Sequence, residues 1–266
     1  MAPEGGLLTA VVLIHRIVGY PLAFIIAPIA LASFAGARHH RWAGQSYLVL
    51  MTFLYLTGSA LTWTRYDYAS WEFGRNLSFN FLGYLLMLMG FRSIWLMQRP
   101  SAPRAAALDK ALAALLVLTT IAIAALATRR SGPLLGVAVA ALALSALELR
   151  DWRRGFAVEA LYRRHLRYTV ASYFYVLTVV SLVHLKQELS SDVRWLWPSV
   201  IAVAVIVAAS RPESGIARLR RAAPLRWAVR AALAVTLLLG AYVGWELARG
   251  VPISPQQEPR RAESDQ

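Results

Sequence analysis

The chain has 266 residues, 58% hydrophobic and 16% charged, with a formal net charge of +14. Soluble domains run nearer 45–50% apolar and about 25% charged. Here the apolar residues come in long unbroken runs, which argues against a soluble domain, a disordered chain and a nucleic-acid binder alike. The sequence has no cysteine, so disulfides, thiolate metal sites, Cys nucleophiles and cysteine-ligated iron–sulfur clusters are excluded. The expected class is an integral membrane protein, an all-α polytopic transmembrane bundle.

A hydrocarbon core about 30 Å thick needs about 20 apolar residues of helix. Eight segments qualify by eye. The first runs from about Leu7 to Phe34 and carries Pro21 and Pro28. The second runs from Trp42 to Trp63, the third from Phe79 to about Met97, and the fourth from Ala111 to Thr128. The fifth, from Pro133 to Leu147, is short, as is the seventh, from Trp195 to Ser210. Between them the sixth runs from Tyr168 to Leu185, and the eighth closes the series from Trp227 to Leu247. Residues 1–250 read as one bundle, and the tail from Val251 to Gln266 as disordered. The N-terminus lacks the positive charge of a secretory signal, so the first segment is expected to be a retained span.

The charges favour this count. The odd-numbered connections hold 18 Lys and Arg against 5 acids, while the termini and even connections hold 10 against 9. One face is therefore near +13 and the other near +1. The positive-inside rule makes the odd side cytoplasmic and puts both termini outside. All nine tryptophans fall at expected span ends, as an aromatic belt requires.

Histidine is the only good haem or soft-metal ligand left. His15 and His184 fall toward the outer side, and His39, His40 and His165 toward the cytoplasmic side. His15-Arg16-Ile17-Val18-Gly19 and His40-Arg41-Trp42-Ala43-Gly44 both read His-Arg-x-x-Gly. Residues four apart share a helix face, so each His has a glycine notch one turn along, open to a flat ring or a neighbouring helix. Arg163-Arg164-His165-Leu166-Arg167-Tyr168 is expected to open the sixth helix. Its arginines, with Arg16 and Arg41, suit anionic lipid head groups or phosphate, or serve as plain topology anchors. The stretch from Asp151 to Tyr162 has the pattern of an interfacial amphipathic helix. The connection from Arg65 to Asn80, rich in aromatics and charge, is a candidate lid or a belt-anchored loop. Acids are scarce within the expected spans, and Glu148 and Glu246 fall at span ends. That argues against a proton-coupled transporter.

The first two spans resemble a group of uncharacterised bacterial multi-pass inner-membrane proteins. The resemblance rests on His15, Gly19 and Pro28, then on His40, Arg41, Gly44 and Tyr47, and further on Arg164-His165-Leu166-Arg167 preceded by Asp151 and Gly155. Tyr168 departs from it, standing where Met is expected. It implies architecture and an inner-membrane location but no activity.

Two functions remain open. One is electron transfer with a b-type haem, or a quinone head group, held by histidines from two helices: His40 with His165, or His15 with His184. Against a two-haem relay, the 19 residues from His165 to His184 span about 28 Å of helix. The other is a non-enzymatic protein, such as a lipid or small-hydrophobe transporter, a sensor, or a subunit of a membrane complex.

Overall fold

The structure is a computed structural model and describes residues 4–33, 38–99, 107–130, 132–154, 158–185, 188–210 and 223–249. Among these residues it is all helix, with no strand. In chain order come α1 (Glu4–Pro21), a π-turn (Leu22–Ile26), α2 (Ala27–Ala32), α3 (Arg38–Arg65), α4 (Trp71–Gln98), α5 (Ala107–Arg130), α6 (Gly132–Arg154), α7 (Val158–His184), α8 (Ser191–Ser210) and α9 (Ala223–Ala248). The C-terminal tail and most of the Arg99–Arg104 linker lie outside the described residues.

Among the described residues, six stretches are long and apolar enough to cross a membrane, as a multi-pass membrane protein requires: Leu8–Ala32, Arg38–Arg65, Trp71–Gln98, Ala107–Ala127, Val158–His184 and Val229–Ala248. The two remaining long helices, α6 and α8, match the segments that already looked short, and α8 has its apolar stretch at Val193–Ala204. Large apolar side chains point outward along the bundle, among them Ile17, Phe53, Leu118, Val200 and Leu238. In water such a surface would drive association, and against lipid it is at rest.

The first segment carries a distortion in mid-course. Pro21 has no N–H to donate and its ring crowds the carbonyl one turn back. The helix widens directly after it, and the Ala27 N–H reaches back five residues to the Leu22 carbonyl. Regular α geometry resumes in α2, with Pro28 in its first turn. The chain leaves the helix at Ser33, which is extended and donates its N–H to the Ile29 carbonyl.

Several boundaries differ from the hydropathy reading, each for a local reason. α4 starts at Trp71 rather than Phe79, because the Ser70 hydroxyl caps it by accepting the Phe73 N–H at 3.1 Å. The expected loop thus shrinks to 66–70, which keeps Tyr66 and Tyr68, while Trp71 and Phe73 form the first turn of α4. Trp71 there donates to the Leu126 carbonyl at 3.1 Å, joining α4 to α5. The expected interfacial helix is instead divided: Asp151–Arg154 end α6 and Val158–Tyr162 begin α7. Arg163 to Arg167 consequently lie inside α7 rather than at its start.

α4 and α7 form the centre of the bundle. α1, the π-turn, α2 and α3 pack on one side, and α5 with α6 on the other. α8 bridges α6 and α7, and α9 closes on α8, α2 and the π-turn. Two glycines on α4 let α7 approach closely. A Cβ on Gly83 would stand 2.3 Å from the Tyr175 ring, and one on Gly90 would stand 2.8 Å from Thr169 Oγ1. Alongside them the Tyr47 hydroxyl donates to Ser172 Oγ (2.9 Å), which donates on to the Gly83 carbonyl (3.1 Å).

Candidate functional site

α2 ends at Ala32, so its last carbonyls have no partner within the helix. His40, in the first turn of α3, donates its Nδ1–H to one of them, the Ala30 carbonyl, at 2.9 Å. His165, in the third turn of α7, donates its Nδ1–H to the Gly90 carbonyl of α4 at 3.0 Å. Thr169 Oγ1 lies 3.2 Å from the same nitrogen and shares that proton. A carbonyl only accepts, so both protons sit on Nδ1. In each neutral ring the Nε2 lone pair is then left over, and neither Nε2 forms a hydrogen bond among the described residues.

The two rings lie close, with centroids 6.4 Å apart and planes nearly perpendicular at 88°. Two imidazoles bound to one metal at about 2 Å per bond place their centroids about 6 Å apart. Metal-ligating histidines also donate their other N–H to a carbonyl or carboxylate, which fixes tautomer and orientation. The pair has that separation and those Nδ1–carbonyl bonds. Beside His40 the notch is open: a Cβ on Gly44 would meet nothing within 4 Å. At the matching position near His15, Gly19 is already approached by Leu54, at 3.3 Å from a built Cβ. The same short motif therefore has two outcomes, an open flank at His40 and a filled helix contact at His15. His39, next in the chain to His40, is exposed.

The structure does not bring His15 and His184 together as a ligand pair. His15 turns to α3, donating Nδ1–H to Thr57 Oγ1 at 2.8 Å, because the Thr57 hydroxyl is itself committed to the Phe53 carbonyl at 2.8 Å. His184 is buried with both nitrogens engaged. Its Nδ1–H donates to Glu246 Oε2 at 2.9 Å, and its Nε2 accepts from the Tyr20 hydroxyl at 3.0 Å. No lone pair remains on it for a metal or haem.

The arginines divide in a similar way. Arg164, wholly buried, holds Glu148 through Nε and Nη2 at 2.7–3.0 Å and donates Nη1 to Ser93 Oγ at 3.1 Å. The Tyr168 hydroxyl completes the cluster, donating to Glu148 Oε2 at 2.7 Å. Arg167 pairs with Asp151 in the same region. Arg92 grips Asp109 with two bonds, at 3.0 and 2.8 Å. The anion that Arg164 and Arg167 hold here is the protein's own carboxylate rather than a lipid head group. Arg41 is exposed, and Arg16 and Arg163 are partly so.

Sequence reasoning passed over Tyr20, Gly90 and Thr169, and read Glu148 and Glu246 only as span-end acids. One signal was available. Glu148 and Asp151 lie three apart, as do Arg164 and Arg167, and each acid meets the base 16 residues on. Among the described residues no group of three or more His, Asp or Glu forms a metal cluster. The chain matches no family model, no curated protein and no solved structure.

Proposed function

We propose that this protein is an inner-membrane electron carrier that holds one b-type haem between His40 and His165. The observation that carries the reading is the close, perpendicular imidazole pair, with centroids 6.4 Å apart, each Nδ1–H bonded to a carbonyl and neither Nε2 hydrogen-bonded among the described residues. When bound, the haem supplies one-electron chemistry. The chain's part is to aim two neutral ligands, fix their tautomers through Ala30 and Gly90, and leave room at Gly44 for a flat face. The haem fits this donor set better than zinc, which takes four ligands and prefers carboxylate or thiolate company.

The topology that goes with this reading has eight spans, with α6 and α8 as the short pair and both termini outside. His40 and His165 then lie near the cytoplasmic face, and Arg41 and Arg163 near its anionic head groups.

Haem content tests the proposal. Protein purified in mild detergent from haem-replete cells should carry close to one haem per chain, and His40→Ala and His165→Ala should each lower that sharply. Colourless wild-type protein from such cells overturns the reading.

A further inference from the structure

The far end of α7 carries a second polar system, connecting three helices that are remote in sequence. Tyr20 stands at the end of α1, immediately before Pro21 and the π-turn. Its hydroxyl donates to His184 Nε2, His184 Nδ1–H donates to Glu246 on α9, and the Tyr242 hydroxyl bridges Glu246 Oε1 (3.3 Å) and the exposed Glu188. With His184 neutral, the direction of this string is fixed. Glu246 only accepts, so His184 carries its proton on Nδ1 and takes Tyr20's proton at Nε2. The Tyr20 oxygen then keeps a lone pair that can accept from outside the string, at the end opposite the exposed Glu188.

We infer that Tyr20, His184 and Glu246 form a proton-accepting site for the hydroxyl of a lipid-soluble hydroquinone. The inference rests on the electron-transfer reading for the purpose of that ligand, but not for the proton chemistry. Three observations set the ligand class. Tyr20 is half-buried within a membrane-length helix, so the ligand arrives from the lipid. The Tyr20 oxygen, its own proton committed to His184, can accept from a phenolic O–H, and the string beyond it ends at an exposed carboxylate. Tyr20 and Phe24 stack one turn apart, at 22° and 6.4 Å, with Phe24 against Gly240 of α9, so the Tyr20 hydroxyl has an aromatic wall beside it. π-turns also recur at functional sites, and this one follows Tyr20 directly.

The proton step balances without any further reagent. The ligand's proton passes to the Tyr20 oxygen as Tyr20's own proton passes to His184 Nε2. The His184 Nδ1 proton passes to Glu246, and Tyr242 relays it to Glu188 and water. The ligand keeps its electrons and is left as the phenolate.

The test compares decyl-ubiquinol with its dimethyl ether, which lacks the O–H donor, by calorimetric titration of nanodisc-embedded protein. Wild type should prefer the quinol about ten-fold or more, since a site built around a hydroxyl rejects the analogue lacking it. Tyr20→Phe, which keeps the ring, should erase the preference, and Glu246→Gln should weaken it. Equal binding of the two probes by wild type, no binding of either, or a preference that survives Tyr20→Phe overturns the inference. The haem spectrum is recorded on the same samples. If the protein is haem-free yet keeps the quinol preference, the haem reading fails and this site stands. If the haem is present and the preference absent, the reverse holds.

Discussion

The imidazoles of His40 and His165 lie with centroids 6.4 Å apart and planes at 88°, although they come from α3 and α7, helices remote in sequence. Each is held from behind by a main-chain carbonyl, Ala30 for one and Gly90 for the other. The pair is therefore oriented by backbone, which moves less than side chains do, and the tautomer of each ring follows from that contact alone.

The Gly90 contact is tight enough to predict a selective defect. A methyl at position 90 would sit 2.8 Å from Thr169 Oγ1 and 3.4 Å from the Thr169 backbone N. Gly90→Ala should cost about 1–3 kcal/mol by overpacking. It should also displace Thr169 and, through it, His165. Gly44→Ala meets no atom within 4 Å and should leave stability unchanged. Thermal unfolding of the two variants in detergent reads the difference, and equal melting temperatures would contradict it.

Glu148 should be the most costly single acid to remove. It lies 1% exposed against a fully buried Arg164. Deleting one partner of a buried pair strands the other charge, at about 3–5 kcal/mol. Glu148→Leu should thus unfold far more readily than wild type, whereas Glu148→Leu combined with Arg164→Met should recover much of the loss. A double variant as unstable as the single one would show that the pair's hydrogen bonds to Ser93 and Tyr168 matter more than its charges.

How much of this was readable beforehand depends on the reach of each signal. The apolar runs show the helices, because spanning a membrane is a demand on local composition. The glycine notch beside His40 was readable for the same reason, as one helix face carries both residues. The fate of Arg164 was not. In sequence it looks like a cytoplasmic anchor at a helix start, yet α7 begins six residues earlier and turns it inward to a carboxylate on α6. Tyr20, His184 and Glu246 carry no local sign of one another, since they are 164 and 62 residues apart along the chain. Glu246 looked like an ordinary span-end acid until the packing of α9 placed it against α7.

The absence of cysteine makes the topology easy to test. Single substitutions Tyr68→Cys and His39→Cys replace exposed residues on successive connections. With both termini outside, a membrane-impermeant maleimide added to intact spheroplasts should label Tyr68→Cys and spare His39→Cys until the membrane is broken. The opposite pattern would invert the bundle and move the His40–His165 pair to the outer face.

The most direct measurement of the central claim is the spin state of the ferric protein, read from its optical spectrum. Two histidine ligands make a six-coordinate, low-spin haem, so wild type should be low-spin. His40→Ala and His165→Ala should each convert whatever haem they retain to a high-spin form, while His15→Ala and His184→Ala stay low-spin. A wild-type spectrum that is unchanged by loss of either His40 or His165 would contradict the account.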